Sequence, residues 1–123
     1  MSKKCACKGD FLDKFIQPAI LSLLCEGPGH GLYLLTELET RGLVSDVDAT
    51  GFYRTLHKLE EDGKLQAEWI TESGGKAKKQ YAITETGLRC LQNWQITLNN
   101  YIRLLQKIQI AVDTALLNRT EDT

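Results

Sequence analysis

Residues 48–84 read DATGFYRTLHKLEEDGKLQAEWITESGGKAKKQYAIT, and the fold turns on how this stretch divides. Its first part has helical spacing. Phe52, Leu56 and Leu59 recur at i, i+4 and i+7, which places them on one buried stripe. Asp48 suits an N-cap, because its carboxylate can accept the free amide hydrogens of a first turn. Gly63 supplies the C-terminal stop. The period then changes from helical to alternating. Leu65, Ala67 and Trp69 alternate with Gln66, Glu68 and Ile70, and beyond Gly74 and Gly75 the residues Tyr81 and Ile83 alternate with Gln80 and Ala82. Two alternating runs joined by a Gly-rich loop predict a β-hairpin. Lys76, Lys78 and Lys79 crowd its second half.

Upstream, FLDKFIQPAILSLLCEG (residues 11–27) carries apolar residues at helical spacing. Pro18 fits a first helical turn, so a buried helix is expected from about Pro18 to Cys25, after a short helical piece. GPGHG (residues 27–31) is a turn by composition. A second helix is expected from about His30 to Arg41, burying Leu32, Leu35 and Leu38 and ending at Gly42. Downstream, Thr84 to about Leu117 reads as one helix, opened by a threonine N-cap and an acidic first turn. Leu91, Leu98, Leu105 and Val112 recur every seven residues, interleaved with Trp94, Tyr101, Ile108 and Ala115. Such a helix runs on the order of 50 Å, longer than a small core can cover, so part of its seam is expected to meet another chain.

Helix, helix, helix, hairpin is the order of a winged helix, a variant of the helix-turn-helix. The expected fold is therefore mainly α with a small β-hairpin: a winged helix-turn-helix domain plus a long C-terminal dimerisation helix. The division expected is an N-terminal extension and winged-helix domain over residues 1–84, the long helix over 85–118, and a frayed tail over 119–123. In this architecture the third helix enters the major groove of DNA and the wing touches adjacent backbone. Thr50, Tyr53, Arg54, His57 and Lys58 lie opposite the buried stripe, ready to donate to phosphates or base edges. Lys76, Lys78, Lys79 and Tyr81 complete the expected DNA contacts. With 15 Lys and Arg against 16 Asp and Glu, the formal net charge is only −1. Local charge on the wing, not the chain total, is what neutralises phosphates.

The residues also carry a family likeness. EGPGHGLYLL after an apolar first helix, then GFYRTLHKLEEDGKL, Trp69 and GGKAKKQYAITETG occur in order over residues 20–87. In these the chain resembles the PadR-like transcriptional regulators, in their short-tailed form. Many members have a proline after the wing glycine and Arg-Lys further on. Here Lys76, Lys78 and Lys79 keep the charge but not the bidentate arginine fork. The resemblance implies a homodimeric DNA-binding repressor released by a small hydrophobic or aromatic effector, and a two-fold dimer is expected to meet a palindromic operator. It also implies that the C-terminal helix makes the dimer. The interface expected is Phe11, Phe15, Ile16, Leu91, Trp94, Leu98, Tyr101, Leu105, Ile108 and Val112, with Trp94 also the candidate for an effector pocket. The alternative from another class is a winged helix used as a protein–protein interaction module without DNA binding.

Other classes are poorly served. There is no Ser-His-Asp set, no phosphate-cradling Gly loop before a helix and no metal-ligand cluster, so neither an enzyme nor a cofactor is expected. No apolar run approaches the length that spans a bilayer, and no secretory signal opens the chain, so the expected location is the cytoplasm. Of the 4 cysteines, Cys25 and Cys90 sit in apolar helical contexts and read as small hydrophobes. Cys5 and Cys7, beside Lys4 and Lys8, are the weak candidates for a soft metal. Two thiols half-fill a tetrahedral site, so no bound metal is expected.

Overall fold

Two helices of this chain end in the same way, and those endings set the scaffold. At each, a glycine enters the left-handed region, Gly42 at φ +70° and Gly63 at φ +77°. The next amide then reaches back five residues, Leu43 N to Leu38 O and Lys64 N to Leu59 O, each at 2.9 Å. This motif satisfies carbonyls the helix leaves open and turns the chain sharply. The computed structural model describes residues 15–44, 49–71 and 74–121. Its elements are α1 (Ile16–Leu24), β1 (Gly29–His30), α2 (Gly31–Thr40), α3 (Ala49–Glu61), β2 (Leu65–Thr71), β3 (Ala77–Ile83) and α4 (Glu85–Glu121). Asp48, Phe11, Cys5 and Cys7 lie outside the described residues.

The core belongs to three helices and the base of the hairpin. Ile20 and Leu21 of α1, Leu34 and Leu38 of α2, and Phe52, Leu56 and Leu59 of α3 are wholly buried. Leu65 and Tyr81 close it from the sheet. The stripe expected on α3 is thus the one observed. That on α2 is not: Leu32 is exposed, Leu35 is half-buried, and Leu34 joins Leu38 inside. Both sets are spaced for a helix face, and packing against α1 and α3 selects between them. Pro18 stands in the first turn of α1, which starts at Ile16, two residues earlier than expected. Cys25, expected among apolar neighbours, is the exposed C-cap of that helix. The Arg41 guanidinium grips Glu26 at 2.6 and 2.9 Å and also Glu37 at 3.1 Å, tying the end of α1 to the end of α2. Hydrogen bonding by Arg41 holds the Glu26 carboxyl below its ordinary range.

The sheet has three strands, not two, in the order β1-β3-β2 and antiparallel throughout. Gly29 and His30, read from composition as turn, pair with Tyr81 and Gln80. The wing strands pair from Leu65↔Ile83 to Thr71↔Ala77 around Gly74 at φ +74°. The fold is mainly α with a small antiparallel sheet, as expected for a winged helix.

The chain forms two compact units, Met1–Leu91 and Gln92–Thr123. Thr84 caps α4: its Oγ1 accepts from Gly87 N at 3.1 Å and donates to Gly63 O at 2.6 Å. Thr84 N adds a hydrogen bond to Lys64 O at 3.1 Å. Gly87 lies on the Lys64 carbonyl so closely that a Cβ there would meet backbone oxygen. The helix continues to Glu121, beyond the expected end near Leu117.

Gly87 gives a test with opposed signs. By helix propensity, Gly87→Ala should stabilise by about 1 kcal/mol. By packing, backbone cannot yield to the new methyl, and overpacking costs about 1–3 kcal/mol. Urea denaturation followed by circular dichroism should show a net loss of stability; a gain would mean that the approach is not tight.

Candidate nucleic-acid interface

Helix α3 presents two faces. Its apolar side is sunk among α1, α2 and β2, which leaves Thr50, Tyr53, Arg54, His57 and Lys58 exposed on the other. Tyr53 rests against the backbone of Gly31 at the start of α2, where a larger residue would collide with its ring. Lys58 reaches Asp62 at 3.5 Å, one turn on. The exposed face thus offers a hydroxyl, a phenol, a guanidinium, an imidazole and an ammonium along three helical turns, all able to donate hydrogen bonds.

The wing lysines differ from one another. Lys76 lies in the connecting loop, and Lys78 and Lys79 in β3, with Lys76 and Lys78 exposed. Lys79 is half-buried. Its ammonium donates to Glu60 Oε1 of α3 at 2.9 Å and stands 5.4 Å from the centroid of the Tyr81 ring. The hydrogen bond to Glu60 raises the Lys79 pKa, against a smaller opposing effect of burial. Because the folded-state value is raised, this stabilisation is present at neutral pH and is lost as pH climbs past the lysine range. Sequence spacing gives no sign of the part Glu60 plays, because its partner is 19 residues away on a strand.

Tyr81, expected to contact DNA, is buried at 6% exposure, so its ring serves the core. Of the expected interface residues, Ile16 is likewise covered within the chain, at 6%. Phe15, Leu91, Trp94 and Leu98 are half-buried, while Tyr101, Leu105, Ile108 and Val112 are exposed. In the Gln92–Thr123 unit the exposed apolar side chains also include Ile96, Ile102, Leu104, Ile110, Leu116 and Leu117, a broader surface than the heptad seam alone. His30 is the N-cap of α2, its Nδ1 accepting from Tyr33 N at 3.3 Å. An open cleft lies between it and the wing, lined by Pro28, Gly29, His30, Tyr33, Ile70, Lys78 and Gln80. Among the described residues no His, Cys, Asp and Glu group is arranged to hold a metal, and no helix is long and apolar enough to cross a membrane.

Three helices, a short strand and a hairpin, with α3 solvent-facing beside the wing, define a winged helix-turn-helix protein. The chain belongs to the transcriptional regulator PadR-like family, whose family model matches residues 20–93. This is a family of transcriptional regulators, not of enzymes. Solved structures agree in fold. A transcriptional regulator from Clostridium thermocellum is 21% identical, with 80% of this chain and 96% of that one covered at a TM-score of 0.70. A protein from Thermoplasma acidophilum is 25% identical, with 78% and 91% covered at a TM-score of 0.67. Bacillus subtilis PadR, solved in complex with operator DNA, is 26% identical, with 66% of this chain and 46% of that one covered at a TM-score of 0.59. No curated protein sequence matches the chain.

The Lys79–Glu60 pair should register in a double-mutant cycle. Changing Lys79 and Glu60 to alanine, singly and together, should give a coupling energy of about 0.5–1 kcal/mol in urea denaturation. Zero coupling would mean that the pair does not brace the wing.

Proposed function

We propose that this protein is a homodimeric, DNA-binding transcriptional repressor that acts in the cytoplasm and releases a palindromic operator on binding a small hydrophobic or aromatic effector. One observation carries the DNA-binding part. The packing of α3 turns its apolar side inward and leaves Thr50, Tyr53, Arg54, His57 and Lys58 on the surface, in the domain whose wing exposes Lys76 and Lys78. The likeness to a PadR solved on operator DNA supports the same reading. Arg54, midway along the exposed face of α3, is suited to a base edge, and Lys76 and Lys78 to phosphates. Lys79 contributes less, since a phosphate must compete with Glu60 for it.

Dimerisation is supported by the Gln92–Thr123 unit. Its exposed side chains from Ile96 to Leu117 make an apolar surface that a soluble monomer does not ordinarily leave open. Covering it with a second copy gives a two-fold arrangement, and two α3 helices then address half-sites about one DNA turn apart. The repressor role rests on the family likeness, and the effector role of Trp94 on the aromatic-lined pockets that interfaces between long helices can leave. Trp94, half-buried on the same helix, is the residue we assign to the effector site.

Two measurements test this. Lys76→Ala and Lys78→Ala should weaken binding to every duplex alike and flatten the salt dependence by roughly 0.9 for each phosphate no longer neutralised. Arg54→Ala should instead cost about 1–3 kcal/mol on the operator and relax preference at one position. Unchanged salt dependence in the lysine variants would point to a wing used for docking a protein.

The dimer is tested by sedimentation. Leu105→Asp places a charge in the interface, and should convert a dimer into monomer or unfolded chain with loss of DNA binding. A parent protein that sediments as a folded monomer at micromolar concentration would overturn the dimer.

A further inference from the structure

Trp69 is exposed at 68%, more than any other large apolar side chain among the described residues. It stands on β2, an edge strand, where an uncovered apolar ring invites unwanted association. Strand alternation tells which face it occupies. Leu65, Ala67 and Trp69 share one face, opposite Ile83, Tyr81 and Lys79 in the register. Burial falls steadily along this face: Leu65 is buried, Ala67 half-buried, and Trp69 exposed. The core therefore ends before Trp69. Its cross-strand neighbour Lys79 reaches Glu60, so this is the side of the wing that borders α3. The other face carries Ile70, Lys78 and Gln80 and looks over the cleft by His30 and Tyr33.

We infer that Trp69 is a DNA contact, its indole laid against the deoxyribose wall of the duplex on the side of the wing that borders α3. This rests on the DNA-binding reading above. The chemistry of both surfaces agrees. A duplex backbone alternates charged phosphates with apolar sugars, and this face of the wing offers a rigid apolar ring to the sugars, directly across from Lys79. The indole N–H donates and cannot accept, which suits a phosphate oxygen at the ring's edge. No base is read, so the contact tolerates any sequence.

Such a contact has its own signature. A lysine–phosphate contact releases counterions and enters the salt dependence; an indole–sugar contact releases none. Trp69→Ala should lower affinity at every salt concentration by a constant factor and leave the slope alone, unlike the lysine variants.

The experiment uses the full chain and a fluorescein-labelled duplex of mixed sequence, with anisotropy recorded over a salt series. We expect Trp69→Ala to weaken binding by roughly fivefold or more at unchanged slope, and Trp69→Phe to recover most of that affinity. In parent protein labelled with 5-fluorotryptophan, the fluorine resonance absent from Trp69→Phe identifies the ring. Its H2O/D2O solvent shift should be present in free protein and vanish when the duplex is added. This second readout needs no alanine variant and decides the matter if Trp69→Ala does not fold. Binding by the parent with Trp69→Ala within about twofold, or with the ring still solvent-exposed in the complex, overturns the inference while DNA binding stands. A ring already shielded without DNA overturns it in favour of cover by the protein itself or by a second copy. A parent that binds no duplex removes the DNA-binding reading and this inference together.

Discussion

The turn at Gly63 and Lys64 is the constraint on which the first unit depends. Its two carbonyls receive Thr84, through the hydroxyl to Gly63 and the amide to Lys64, and Gly87 rests directly on the second. Four elements meet there: the end of α3, the start of β2, the end of β3 and the first turn of α4. Because the hairpin is pinned at its base, its strands leave α3 in one direction. The same threonine caps the last helix, so a single side chain both closes the wing and starts α4. A Cβ at position 87 has no space, which is why packing there overrides the usual preference for alanine in a helix.

Charge is handled locally in this protein. A formal net charge of −1 gives no long-range pull on a polyanion. What the surface offers is a set of cations placed by backbone geometry: Arg54 and Lys58 on one face of α3, Lys76 and Lys78 on the wing. Lys79 has a different use. It is held by Glu60 and leans toward the Tyr81 ring, fastening β3 to α3. An ion pair in this half-buried setting contributes modest energy, but it ties the wing to the helix.

The Gln92–Thr123 unit has the opposite character. It leaves many large apolar side chains exposed, spread more widely around the helix than one heptad seam requires. A seam alone suits one partner helix; a broader apolar girth suits two packed elements. The long helix thus leaves much apolar surface exposed, whereas the winged helix buries its own core.

Much of the architecture could be read from spacing alone, because it depends on residues close in the chain. The Phe52, Leu56 and Leu59 stripe, the glycine stops at 42 and 63, the cap at Thr84, and the alternation that makes the wing are all local signals, and each has its expected place in the structure. What only the tertiary structure decided are matters of what stands opposite. Gly29 and His30 become a strand because β3 offers them a free edge. Leu34 rather than Leu32 goes inside because α1 and α3 lie on that side of α2. Tyr81 is buried because β3 packs against α1 and α2, and Lys79 is paired because Glu60 of α3 stands within its reach, while Trp69, on the same face and two residues past Ala67, runs beyond the reach of the core. Periodicity gives a residue its face; only the neighbour brought there by the rest of the chain determines whether that face is covered.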